Sequence, residues 1–144
     1  MYKNVNLITL IFLLLSASAA VTSGQEKLGK IFIKAALIEV DGKQIPDTDS
    51  EESVKDIKKR PGKFILVDKE SEADFLIVVN ERTSTPQSGS PAAKSIHATL
   101  YTRDAGKWTP ATKLISGSND IFWGIAAENI VKKATKWVKE NTNK

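Results

Sequence analysis

Apolar residues fall into runs of two distinct periods along the chain. KIFIKAALIEV (30–40) is rich in Ile and Val and bounded by Gly29 and Asp41-Gly42. It predicts a first strand, apolar on both faces over much of its length and therefore central in a sheet. QIPDTDSEESVKDIKKRPG follows with helix punctuation. Asp49 and Glu52 fit a capping box, acids fill the first turn, Lys58-Lys59-Arg60 fill the last, and Pro61-Gly62 ends it. Only Val54 and Ile57 face a core, so this helix is short and shallowly docked. KFILVD (63–68) predicts a second strand, and DFLIVVNERT (74–83), after the connection KESEA, a third. FLIVV shows no alternation, so the middle of that strand is covered on both faces.

STPQSGSPAA (84–93) holds two prolines, a glycine and small polar side chains, the composition of a flexible loop. SIHATLYTR (95–103) alternates cleanly, with Ile96, Ala98 and Leu100 on one face and His97, Thr99, Tyr101 and Arg103 on the other. A sheet carrying such a strand is covered on one side only. DAGK turns the chain, and WTPATKLISGS (108–118) returns as a partner; Pro110 cannot donate to a ladder, which places this strand at an edge. Asn119 or Asp120 caps a last helix over 121–141, with a stripe at 123, 127, 130, 134 and 137 joined by 122, 126, 131 and 138. Gly124 within it costs about 1 kcal/mol against Ala unless it permits close contact with the sheet. The order is β-α-β-β-β-β-α. It predicts a two-layer α+β domain, with a mixed sheet of about five strands and two helices on one face.

The first 25 residues differ in kind. Lys3 precedes an unbroken run over 7–15, apolar but for Thr9, and Ala17-Ser18-Ala19 fits the A-x-A pattern of a signal-peptidase site. A spanning helix needs roughly 20 apolar residues, about twice this run. Residues 1–24 therefore read as a removed signal peptide, leaving 25–144 as one domain, periplasmic or secreted. The loss of Lys3 lowers the formal net charge from +4 to +3. That weak charge and the export signal together argue against nucleic acid as a partner. The chain has no cysteine, hence no disulfide framework, thiolate ligand, thiol nucleophile or lipidation site.

Candidate chemistry is sparse. Asp74 and Glu81 flank the apolar run of the third strand, but an extended chain separates them by roughly 23 Å at ~3.3 Å per residue. Paired glycosidase carboxylates sit ~5–9.5 Å apart. Asp74 instead reads as closing its turn by accepting backbone N–H bonds, and Glu81 as a solvated edge residue. His97, the single histidine, lies on a polar strand face with no acid or nucleophile nearby in sequence, and no G-x-S-x-G elbow accompanies it. Asp47, Asp49 and Glu51 alternate as in calcium loops, yet position 58, the twelfth, is Lys, so capping explains them better. No phosphate-binding glycine motif occurs. Trp108 and Trp123 read as core aromatics. Lys132, Lys133, Lys136 and Lys139 give the last helix a basic outer face suited to solvent, an acidic partner or anionic lipid.

With these pieces in order, the chain resembles small envelope domains typified by the amino-terminal domain of TolB and the curli secretion protein CsgG. The features that carry the likeness are KIFIKAAL, a helix, FILVD, EADFLIVV, a strand closing with YTRDAGKW, and a final amphipathic helix, over about residues 28–140. The resemblance implies a non-enzymatic envelope module that binds another protein, and it transfers no functional residue. There is no lipidation cysteine, propeller domain or channel-forming segment.

The resulting expectation is an exported accessory protein with no catalytic, cofactor or metal residues. Its contacts with a partner protein would run through His97, Tyr101, Arg103, Lys132, Lys133, Lys136 and Lys139, with membrane-surface contact through the basic helix. The alternative is a secreted hydrolase using carboxylates alone, drawn from Asp68, Asp74 and Glu39 at one rim of the sheet.

Overall fold

The computed structural model describes residues 26–142, so the expected signal peptide over 1–24 lies outside the described residues. The elements in chain order are β1 (Lys30–Ala35), β2 (Leu37–Val40), β3 (Lys43–Pro46), α1 (Thr48–Lys58), β4 (Ile65–Leu66), a 3-10 turn (Glu70–Glu72), β5 (Phe75–Gln87), β6 (Ser90–Asp104), β7 (Lys107–Ser118) and α2 (Gly124–Thr142). Five strands form one mixed sheet in the order β4-β1-β5-β6-β7. β1 is parallel to β4 and β5, while β5–β6 and β6–β7 are antiparallel. α1 packs on β1 and β5, and α2 on β6 and β7. This is the expected two-layer α+β architecture.

Strand alternation supplies one apolar face and the helices cover it. Ile33, Ile77 and Leu100 are aligned across β1, β5 and β6, and each is at most 1% exposed. Ile57 from α1 and Ile130, Val131 and Val138 from α2 close over them. Ala126, Ala127 and Ala134 let α2 approach the sheet closely, and Phe64 meets Phe75 edge-on at 5.8 Å between ring centres. Burial of each Ile or Leu contributes about 1.5–3 kcal/mol. Among the described residues no α-helix lies on the other face, and His97, Thr99 and Tyr101 are half-exposed, as the alternation of 95–103 requires. β7 is an edge strand, and the ladder slips between Leu100 and Tyr101 where Pro110 enters it.

Several local expectations are corrected. The strand read over 30–40 breaks at Ala36, and its second half pairs with β3 in a separate hairpin. Asp41 (φ 51°) and Gly42 (φ 74°) supply the two left-handed residues of a tight hairpin turn. The cap of α1 is Asp47 rather than Asp49: its carboxylate accepts from Ser50 N at 2.9 Å. The strand read over 63–68 pairs only at Ile65–Leu66. Residues 84–93, read as a loop, instead extend β5 and β6 and leave Ser88-Gly89 as the connection. The last helix begins at Gly124 rather than 121, and Phe122, counted in its apolar stripe, is 70% exposed. Its expected cap at Asn119 or Asp120 is not the one formed, because the Asp120 carboxylate accepts from Ile121 N in the turn before the helix.

Candidate functional site

The helix-free face consists of alternate residues of the four longer strands of the main sheet. Register places Phe32, Leu76 and Tyr101 side by side on β1, β5 and β6. Leu76 is nevertheless only 2% exposed. Lys34 from β1 and Arg103 from β6 converge on the 3-10 turn. Lys34 Nζ lies 2.7 Å from Glu70 Oε2, and Arg103 donates to the carbonyls of Glu70 and Ser71 at 3.0 Å each. The Arg103 guanidinium also stacks 4.5 Å from the Trp108 ring centre. Further along, Asn80 bulges out of β5, so Glu81 rather than Asn80 pairs with His97. His97 Nδ1 stands 3.6 Å from Glu81 Oε2, both side chains well exposed (38% and 58%). An open cross-strand pair of this kind has no enclosing cavity in which to act as a general base.

The residues expected to contact a partner lie on two separate surfaces. His97, Tyr101 and Arg103 occupy the helix-free face, and the four lysines sit on α2 in the opposite layer. Lys132 pairs with Glu128 at 2.7 Å, Lys136 approaches Glu140 at 3.9 Å, and Lys133 donates to the Ile115 carbonyl on β7. The lysine opposite Glu128 holds that carboxyl below its ordinary range, and Lys55 does the same for Glu52. Lys133 occupies an acceptor of the β7 edge, a device that blunts edge-to-edge pairing.

The carboxylates of the hydrolase reading are dispersed. Asp74 opens β5 and accepts from Lys30 N at 2.8 Å, so it ties two strands rather than its own turn. Glu39 lies in the separate β2–β3 hairpin, which follows β1 at the end away from Asp74. Asp68 follows β4, with β1 between its lane and β5. No group of three His, Asp or Glu side chains suited to a metal occurs among the described residues. Among them, also, no helix is long and apolar enough to cross a membrane.

A different feature stands out at the β4 side of the sheet. β4 pairs only with Lys30 and Ile31, whereas β5 pairs with β1 as far as Ala35. Ile65 N donates to Gly29 O and Val67 N to Ile31 O, so ladder alternation points the N–H and C=O of Ile33 towards the β4 lane, although Ile33 and Ala35 are themselves buried, at 1% and 7% exposure. About 13 Å of edge, over Phe32–Ala35, thus lacks a strand partner among the described residues. An open groove of about 420 Å³ runs along it. Phe32, Ile33, Ala35, Leu37 and Pro46 line one side, and Val54, Glu51, Lys55 and Lys58 of α1 the other. Lys58 Nζ rests 5.8 Å from the Phe32 ring centre. The neighbouring hairpin leaves Leu37, Ile38, Val40 and Ile45 between 41% and 59% exposed. Sequence reasoning missed this site, although its signal was present: Asp-Gly between LIEV and KQIP is a short hairpin signature.

No family model matches the chain, and no curated protein matches it. Among solved structures, the fold is similar to that of the hypothetical protein CT253 from Chlamydia trachomatis. That match has a TM-score of 0.50 and 12% identity, over 78% of this chain and 99% of that one. Weaker similarity is found to a minor lipoprotein from Acinetobacter baumannii, with a TM-score of 0.41 and 11% identity over 78% of this chain and 94% of that one. The lipoprotein GNA1162 from Neisseria meningitidis follows, with a TM-score of 0.36 and 10% identity over 80% and 99% of the two chains.

Proposed function

We propose that this chain is an exported, non-enzymatic accessory module of the cell envelope that captures an extended segment of a partner protein along the open edge of β1. The observation that carries this reading is the truncated β4, which leaves β1 beyond Ile31 without a strand partner on that side and an apolar groove in its place. Strand addition uses such an edge: main-chain hydrogen bonds supply affinity, and pockets for alternate side chains supply selectivity. Lys58 on the rim, together with Lys55 where it is not held by Glu52, favours a segment that alternates apolar side chains with acids. Export is supported by the basic start, apolar run and A-x-A site of the leader. The resemblance to the TolB amino-terminal and CsgG domains belongs to this reading too, as a likeness of element order. Export predicts an intact mass, in a periplasmic or culture fraction, that is short of the leader.

Selection from a displayed library of random decapeptides, followed by amide chemical-shift mapping, tests the binding mode. Expected binders are apolar-acidic alternating peptides that shift Phe32–Leu37 and residues 51–58. Lys55→Glu with Lys58→Glu weakens them tenfold or more. Binders that map to the His97 face instead, or an absence of binders, overturn the reading.

A further inference from the structure

The segment entering α2 carries exposed apolar side chains with no use inside the fold. Ile121 and Phe122 are each 70% exposed and Ile125 is 44% exposed, although Trp123 between them packs partly against the core. Three cations surround this point from three separate elements. The Arg82 guanidinium from β5 stacks 4.0 Å from the Trp123 ring centre, and Lys94 Nζ from β6 lies 5.6 Å from it. Arg60, just past α1, holds its guanidinium against Gly124, where an added Cβ would meet it at 2.8 Å. Among the described residues none of the three has a carboxylate within 4 Å, whereas three of the four lysines on α2 are engaged as described above.

We propose that Ile121, Phe122 and Ile125 form a wedge that docks on an anionic bilayer surface, with Arg60, Arg82 and Lys94 contacting the lipid phosphates. The argument is one of complementarity. A bilayer interface offers apolar depth bordered by negative headgroups, and the patch presents apolar tips bordered by positive charge that makes no close ion pair, Arg82 and Arg60 feeling Glu52 and Glu128 only from a distance. Attraction to anionic lipid adds about fivefold in affinity per basic residue at the surface, and insertion of each large apolar side chain adds tenfold or more. Lys132, Lys133, Lys136 and Lys139, the basic face expected from the sequence, play the lesser part because most are already engaged. Membrane contact thus moves from the middle of α2 to its entry.

Because the chain has no cysteine, a single I121C variant can be labelled with an environment-sensitive fluorophore without side reactions. The mature protein is titrated with vesicles of phosphatidylcholine alone and with vesicles containing 30–40% phosphatidylglycerol, at about 50 and 300 mM salt. Expected results are blue-shifted emission on the anionic vesicles, weak binding to the neutral ones, and strong loss at high salt. In the unlabelled chain, I121S/F122S lowers vesicle affinity in pelleting at least a hundredfold and R60Q/K94Q about 25-fold, with unchanged circular dichroism since Ile121, Phe122 and Arg60 are exposed and Lys94 is half-exposed. K132Q/K136Q changes it less than twofold. Equal pelleting by I121S/F122S and the parent, or no binding to anionic vesicles at low salt, overturns the proposal. A self-association lost in I121S/F122S without any vesicle binding assigns the patch to a second copy of the chain, and overturns it as well.

Discussion

Arg103 holds the turn that carries Glu70: from β6 it reaches past β5 and donates to the Glu70 and Ser71 carbonyls at 3.0 Å each, with its flat face on Trp108. Lys34 grips the Glu70 carboxylate from the other side of β5. The turn is thereby fixed on the helix-free face, where Leu76 is buried without a helix above it. Two charge-assisted bonds to main-chain acceptors predict that Arg103→Ala costs about 1–3 kcal/mol in urea unfolding. Arg103→Lys recovers only part of this, because an ammonium can neither span two carbonyls in a fork nor stack on Trp108 in the same way. Glu70→Gln removes the half-exposed ion pair to Lys34 and costs no more than about 1 kcal/mol.

The centre of the core sits where Ile33, Ile77 and Leu100 align across three strands. Ile77→Ala is expected to cost about 2–5 kcal/mol in urea unfolding, since the helices above can collapse only partly into the void. Ile115→Ala, on β7 at 50% exposure, changes stability by less than about 0.5 kcal/mol. Equal costs at the two sites would place the core elsewhere.

Asp47 caps α1, and hydrogen bonding by Ser50 holds its carboxyl below the ordinary range of 3.8. A folded value below the unfolded one means that the carboxylate's stabilisation is whole above about pH 4 and is lost as pH falls through the folded value. Asp47→Ala therefore lowers the melting temperature at pH 7 by a few degrees. Asp47→Asn retains a capping oxygen without the titration, so its melting curve depends less on pH below 4 than the parent's. A parent and variant with parallel pH profiles would show that the cap does not titrate in this way.

The β2–β3 hairpin pairs with neither edge of the main sheet, and two-stranded hairpins are marginal alone in water. Gly42→Val forces a branched side chain to φ 74°. Amide exchange of Leu37–Val40 and Lys43–Pro46 should rise towards the unstructured rate in that variant. Global unfolding should shift little, because the apolar side chains of this hairpin are already half in water. Peptide capture at the neighbouring groove should weaken, since Leu37 and Pro46 line it.

Much of the fold was legible residue by residue. The alternation of 95–103 told which side of the sheet is buried, Pro110 told that β7 stands at an edge, and the spacing of Ile130, Val131, Ala134 and Val138 told which side of α2 faces inward. These features depend on the local geometry of a strand or helix and on the cost of burying polar groups, both of which short stretches of chain encode. The separation of Asp74 from Glu81 was legible for the same reason.

The candidate site was not. The vacancy beside β1 exists because β4 leaves its lane after two residues, and the extended tip at 84–93 exists because β5 and β6 find each other across a turn. Arg82 meets Trp123 only because the bulge at Asn80 turns it towards the helix layer. Each of these depends on which distant segments become neighbours, a choice made by burial of the whole apolar face at once. A sequence written along one dimension shows the side chains that must go inside. It leaves unstated which polar edges and apolar tips remain outside when the packing is complete.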